Sequence, residues 1–361
     1  MSLLSVVAAS RNDGHGLHLL PRMQVFINGL ADQVERFERE VELVLVDWNP
    51  PSDHRPLSEA LTAPAVKGFT VRVITVPPEV HSRLSISENL SFFQMIAKNV
   101  GIRRAQGDSV LATNIDILMS DGLFLDSTSP LVDRRLYRTD RVDIAFDPEV
   151  TLDADVLRRS PAIRIHQKNG MYSPGEGMRH EQVRGAGSLS RVALRNPVDF
   201  MRRVVRKVDP VRYRRALISI FRLPQLHLNA CGDFTLMTRA SWAELRGYPE
   251  WEMFAWSLDG LLLYQAAAAG FSFDELTDRP AFHLEHSSGW AGESGAAYLE
   301  RATQRGIPVL GEVELIEVAN TIWKGRRKGE WRTNLDGWGM FAMDFPETSL
   351  PAVSRAKSGQ R

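Results

Sequence analysis

The sequence predicts an α/β protein, a mostly parallel sheet flanked by helices. Three observations predict it. Short apolar, β-branched runs recur through the first third of the chain and stop at breakers. A segment of helical periodicity separates the first two runs. Polar loops carrying a carboxylate follow the first, second and fourth. Strand, helix, strand, with polar loops at the carboxyl ends of the strands, is the pattern of a βαβ unit.

Residues 3–10 form the first run, stopped by Arg11-Asn12-Asp13-Gly14. No basic segment precedes it, so it reads as a buried strand and not as a leader. Residues 19–39 place Leu20, Met23, Phe26, Leu30, Val34 and Phe37 at near-helical spacing. Residues 41–46 stop at Asp47-Trp48-Asn49-Pro50-Pro51, and residues 69–76 stop at Pro77-Pro78. Residues 90–107 read as the next helix, closed by Gly107. Residues 109–113 are a fourth strand running into Asn114-Ile115-Asp116. Further on, 231–237 reads as a strand, 242–247 as a short helical piece, and 258–269 as a helix closed by Gly270.

The stretch 152–222 differs. It is polar and Gly-rich at first, then strongly basic from Arg191 to Arg222, with apolar residues interleaved. It predicts an inserted basic helical segment, either an amphipathic cover for the core or a patch for a membrane surface or an anionic acceptor. The tail 351–361 is polar and is expected to be disordered. Residues 1–345 are expected to form one domain.

Bulk composition narrows the classes. The 361 residues are 43% hydrophobic and 24% charged, ordinary for a globular domain. Forty-four basic and 44 acidic side chains give a formal net charge of zero, so no nucleic-acid partner is expected. The single cysteine, Cys231, excludes a disulfide within the chain and fits a reducing, cytoplasmic compartment. It reads as a small buried hydrophobe. No apolar run approaches the roughly 20 residues that a spanning helix needs. The expectation is a soluble protein, or one peripheral on the inner face of a membrane.

From Val7 to Asp116 the sequence resembles the GT-A glycosyltransferases, especially the large inverting family 2, and the resemblance extends over most of residues 3–290. The residues that carry it are the polar turn Ser10-Arg11-Asn12-Asp13, the strand end Leu45-Val46-Asp47, the helix Asn99-Val100-Gly101-Ile102-Arg103-Arg104-Ala105-Gln106-Gly107, and then Thr113-Asn114-Ile115-Asp116. The last stands where the family has Asp-x-Asp, with its first Asp replaced by Asn114. Residues 1–125 would be the nucleotide-binding half and 226–290 the acceptor and catalytic half. The resemblance implies transfer of a sugar from a nucleotide-diphosphate donor, UDP-sugar favoured, to a glycan or lipid-linked acceptor, as in bacterial surface polysaccharide synthesis. It implies inversion and a divalent metal, Mn²⁺ or Mg²⁺.

It also implies roles. Ser10, Asn12, Asp13, Asp47, Asn99, Arg103, Asn114 and Asp116 would bind the donor nucleotide. Asp116 would hold the metal, with His286 or His283 from Phe282-His283-Leu284-Glu285-His286 as a further ligand. Carboxylate oxygen with imidazole is a donor set such ions accept. Gly232, Asp233 and Trp251 would line the acceptor side. Asp259 would be the general base, since a carboxylate in the first turn of a helix is positioned and kept ionised by the helix dipole. The Glu that precedes this Asp in the family is Leu258 here, and Glu250 and Glu252 are the alternative bases. Trp48, Trp251, Trp256 and Trp290 lie near these segments, as stacking surfaces or core anchors.

Two other readings remain open. A nucleotidyltransferase making a sugar nucleotide would share the α/β domain, but it normally carries a Gly-rich basic loop after the first strand. Ser10-Arg11-Asn12-Asp13-Gly14-His15-Gly16 has two glycines and an Asp. A dinucleotide-binding dehydrogenase fails on the same loop, which lacks Gly-x-Gly-x-x-Gly. A catalytically silent sugar-nucleotide-binding protein is permitted by Asn114 and Leu258.

Overall fold

The structure is a computed structural model and describes residues 3–174, 177–180, 222–286 and 295–354. Its strands in chain order begin with β1 (Leu4–Ser10), β2 (Val41–Trp48), β3 (Ala63–Pro64), β4 (Phe69–Val76) and β5 (Ser109–Thr113). Next come β6 (Ile117–Met119), β7 (Arg135–Arg138), β8 (Arg141–Ala145), β9 (Ala162–Gln167), β10 (Gly170–Ser173) and β11 (Gly177–His180). Last are β12 (Phe234–Thr238), β13 (Ser272–Glu275), β14 (Ala281–Glu285), β15 (Glu347–Ser349) and β16 (Ala352–Val353).

The predicted α/β class is observed: a large central sheet flanked by helices. Its order is β13-β7-β12-β5-β1-β2-β4-β15. The pairs β5/β1, β1/β2, β2/β4 and β13/β7 are parallel, and β12 runs antiparallel to β5. β1 and β2 are buried along their whole length, which requires cover on both faces. Alternation supplies it. Leu4, Val6 and Ala8 pack with Met23, Phe26 and Leu30 of the helix Leu19–Phe37. Val7, Ala9, Val44 and Val46 face Ile96, Ala97 and Val100 of the helix Gln94–Arg104. Gly101 lets that helix lie close, since a Cβ there would stand 2.5 Å from Val7 Cγ1.

A second sheet departs from the single-sheet expectation. Its order is β11-β10-β9-β8-β14-β6. The chain leaves the large sheet at Thr113 and enters the second at Ile117, so Asn114-Ile115-Asp116 is the crossing. It crosses again between β7 and β8, at Thr139-Asp140. Arg138, fully buried, braces that seam: Nε donates to the His227 carbonyl at 3.2 Å and Nη2 to the Asn229 carbonyl at 2.8 Å.

The described part of 152–222, which precedes the basic run expected to be helical, is a short helix, Ala154–Arg158, followed by β9, β10 and β11. The basic run 191–221 lies outside the described residues. The tail was expected to be disordered from 351, but β16 pairs in parallel with β3 there. Residues 355–361 lie outside the described residues. The helix Glu312–Gly325, which carried no sequence expectation, packs on Leu258–Ala268 and contributes Leu315, Ile316, Ala319 and Ile322 to the core. No described helix is long and apolar enough to cross a membrane.

Candidate active site

Asp116 is the last residue of the first crossing and is 6% exposed. Its Oδ2 lies 2.5 Å from Arg22 Nη1, 3.3 Å from His286 Nε2 and 3.8 Å from His283 Nε2. Burial alone would raise its pKa, but His283, His286 and Arg22 hold it far below the ordinary carboxylate range. His283 stands on β14 and His286 just beyond its end. The ligand atoms of Asp116, His283 and His286 all lie within 4.8 Å of one another.

The residues behind this triad fit a metal site. His283 Nδ1 lies 3.3 Å from Asp143 Oδ1, which keeps a proton on Nδ1 and makes Nε2, facing Asp116, the nitrogen that would give up its proton to bind a metal. Asp143, itself fully buried on β8, is held by Arg141 at 2.9 Å, Arg164 at 3.2 Å and His166 at 3.0 Å. Burial and Arg141 pull the His283 pKa down, but Asp116, Asp143 and Glu285 outweigh them and push it up to about 9. A metal ion on Nε2 would replace that proton. A carboxylate and two imidazoles, one of them backed by a carboxylate, can hold a divalent ion.

A chain of polar contacts runs from the crossing to the acceptor-side residues. Asn114 Nδ2 donates to Asp233 Oδ1 at 2.5 Å, and Gln94 Nε2 donates to Asn114 Oδ1 at 2.9 Å. Arg141 Nη1 lies 2.7 Å from Asp233 Oδ2. Thr113 Oγ1 donates to the Asp233 carbonyl at 2.6 Å. Gly232 is the point of contact with Asp259, since a Cβ there would stand 2.9 Å from Asp259 Oδ2. Asp259 is partly exposed in the first turn of Leu258–Ala268. Lys98, fully buried, donates from Nζ to the Gly232 carbonyl at 2.7 Å. Burial pulls its pKa down to about 8, against the pull of Asp233, Asp259 and Asp116.

Ser10 and Asp47 form a second group at the ends of β1 and β2, where they are direct register partners. Asp47 Oδ2 accepts from the Leu57 amide at 2.9 Å. Its Oδ1 and the Ser10 hydroxyl are buried and have no hydrogen-bond partner among the described residues. Burial pushes Asp47 up to about 6, and the Leu57 N–H only partly offsets this. Asn12 Nδ2 donates to the Arg55 carbonyl at 2.8 Å, and Asp13 pairs with Arg11 at 3.4 Å and with His15.

Other predicted site residues are engaged away from these groups. Asn99 braces its helix against the turn at Gly247. Its Oδ1 accepts from the Tyr248 amide at 2.8 Å, and its Nδ2 donates to the Tyr248 carbonyl at 2.8 Å and to Glu250 Oε1 at 3.0 Å. Glu250 also accepts from the Gly339 amide at 2.7 Å. Arg103 lies over the rings of Trp338 and Phe341. Glu252 accepts from the amide and hydroxyl of Ser85, each at 2.5 Å. Trp48 is a core anchor whose Nε1 donates to His81, and Trp251 packs against the same core. Cys231 is buried in that core, and Trp290 lies outside the described residues.

Arg22, Lys98, Arg141 and Asp143 reach the site without a sequence signature. Arg22 falls on the buried face of Leu19–Phe37, and Lys98 lies in a helix buried on nearly every side, so no amphipathic pattern sets it apart. The one available signal is a charge at a buried helical position. Arg141 and Asp143 belong to a strand whose alternation is too short to orient.

The sequence matches no family model and no curated protein. Solved structures do match. GalNAc-T7 with UDP, GalNAc and Mn²⁺ aligns with 92% of this chain and 50% of its own, at 13% identity and a TM-score of 0.41. S. aureus TarS, residues 1–349, in complex with UDP-GlcNAc aligns with 92% of this chain and 74% of its own, at 12% identity and a TM-score of 0.36. The galactosyltransferase LgtC with donor and acceptor sugar analogues aligns with 40% of this chain and 48% of its own, at 19% identity and a TM-score of 0.26. These three are GT-A glycosyltransferases. The chain spans half the length of the GalNAc-T7 chain it aligns with. Likeness at these identities and scores carries no ligand or acceptor over to this chain.

Proposed function

We propose that this chain is a GT-A-type glycosyltransferase that moves a sugar from a nucleoside-diphosphate donor, with UDP as the favoured nucleotide, to a hydroxyl of a glycan or lipid-linked acceptor. One observation carries the reading. Asp116, with His283 and His286 beside it, ends the crossing whose Asn114 donates to Asp233, and the preceding residue in the chain, Gly232, lies against the Asp259 side chain. This placement supports charge for a leaving group and a base for an incoming hydroxyl at one site.

Ser10 and Asp47 would receive the nucleoside, since both offer a buried, unpartnered oxygen. Asp233 would orient a sugar hydroxyl. The acceptor oxygen attacks the anomeric carbon while the bond from that carbon to the diphosphate oxygen breaks. The nucleoside diphosphate leaves with the bonding electrons, and the acceptor's proton passes to Asp259. A single displacement inverts the anomeric centre. A divalent ion held by Asp116, His283 and His286, with Mn²⁺ suiting two imidazoles better than Mg²⁺, would supply the charge that the departing diphosphate needs. The proposed setting is the bacterial cytoplasm, in surface polysaccharide synthesis.

The test is a screen of UDP-sugars with Mn²⁺ and oligosaccharide acceptors, read as UDP release. Transfer by the wild type and none by Asp259→Asn, with donor binding kept, supports the assignment. Full activity in Asp259→Asn removes Asp259 as base and brings Glu250 and Glu252 forward. Donor binding with no UDP released on any acceptor supports the silent binding protein instead.

A further inference from the structure

Arg22 is a charge in an unfavourable place. It lies in the first turn of Leu19–Phe37, where the helix dipole disfavours a cation, and it is 1% exposed. Its Nε donates to the Leu17 carbonyl at 3.0 Å and its Nη1 to Asp116 Oδ2 at 2.5 Å. Its Nη2 is buried without a hydrogen-bond partner among the described residues. Gly16, at φ +71°, closes over the group: a Cβ there would stand 2.9 Å from Arg22 Nη2 and 2.9 Å from His286 Nδ1. A full positive charge therefore already sits on the carboxylate that a divalent ion would use.

We propose that the Arg22 guanidinium competes with the divalent ion for Asp116, so that the site accepts metal and donor diphosphate together and binds metal poorly alone. This rests on the metal-site reading above. A carboxylate that carries one cation attracts a second, doubly charged one less strongly. Diphosphate oxygens change the balance, because they offer Arg22 an acceptor that replaces Asp116 and match its planar fork. Its spare Nη2 supplies a donor for them. Metal and nucleotide then tighten one another's binding by the same factor.

The experiment is Mn²⁺ titration of the full chain, followed by electron paramagnetic resonance, with and without UDP, for wild type, Arg22→Gln, Arg22→Met and Arg22→Lys. Removing the charge is expected to tighten binding of Mn²⁺ alone tenfold or more, and Arg22→Lys to stay near wild type. UDP is expected to improve Mn²⁺ affinity by a larger factor in wild type than in Arg22→Gln. Arg22→Gln keeps a donor for the Leu17 carbonyl and serves if Arg22→Met fails to fold. Unchanged or weaker Mn²⁺ binding in a folded Arg22→Gln overturns the competition while the metal site stands. If no variant binds Mn²⁺ even with UDP, the metal-site reading falls and this inference with it.

Discussion

Single side chains in this protein do two things at once, and substitutions must be read accordingly. Asp116 is a candidate ligand and also the partner of buried Arg22. Asp116→Ala is expected to abolish Mn²⁺ binding and also to lower stability by about 3–5 kcal/mol, because it leaves a buried guanidinium unpaired. Asp116→Asn separates the two effects: metal affinity falls while the melting temperature drops less. Gly232→Ala makes a sharper test of Asp259. Its new methyl meets only the end of the Asp259 side chain, 2.9 Å away, so the carboxylate moves and the fold stays. The expected result is a kcat loss of about tenfold to a hundredfold, the 1.4–2.7 kcal/mol of a misplaced base, with little change in melting temperature. Asp47 carries a pH signature. Its pKa rises on folding from 3.8 to about 6. The native chain therefore binds more protons than the unfolded chain between those values, and stability falls as pH rises through them, by about 3 kcal/mol in all. Asp47→Asn should flatten that part of the stability–pH curve and stabilise the protein at pH values above it, read by thermal denaturation across the range.

Elements show what a one-dimensional reading can and cannot find. Leu4–Ser10, Phe69–Val76 and Ser109–Thr113 were legible because buried parallel strands are short, apolar and bounded by breakers. Leu19–Phe37 was legible because one face of it is apolar. The motif helix Gln94–Arg104 was found, but the packing partners of its inward polar residues were not. Asn99 faces the turn at Gly247 and Tyr248, 149 positions away from it in sequence, and no local pattern announces such a contact. Gly247, at φ +70°, would place a Cβ 2.3 Å from Asn99 Oδ1. Gly247→Ala should therefore destabilise the protein by about 2–4 kcal/mol, combining positive-φ strain with a clash against a fixed amide. Asn99→Ala should likewise lower the melting temperature and leave donor KM in the surviving folded fraction near wild type. A large rise in KM with an unchanged melting temperature would restore Asn99 to the donor site. β10 and β11 were illegible because they are four-residue strands in a polar, Gly-rich stretch, whereas β9 carries an Ile163-Arg164-Ile165-His166 alternation that was passed over.

Across the whole molecule, the candidate site sits where the chain passes between two sheets. Asn114-Ile115-Asp116 joins β5 to β6, Arg141 of β8 reaches back to Asp233 at the mouth of β12, and His283 comes from β14. The sequence marks Asp116 by its motif, but not its neighbours: β12 pairing with β5 in the large sheet brings Asp233 to the crossing, and β14 pairing with β6 in the second sheet brings His283. Loading Mn²⁺ and UDP should slow amide hydrogen exchange in β6 and β14 about tenfold or more and leave β4, which carries no proposed ligand contact, unchanged, since a ligand that binds across the crossing opposes its local opening. Chemistry and cohesion would then draw on one set of side chains. Under the proposed transfer, exchanging residues at the crossing to alter sugar preference would also loosen the rivet between the two sheets, and recovery of activity would call for compensating changes along β8 and β14.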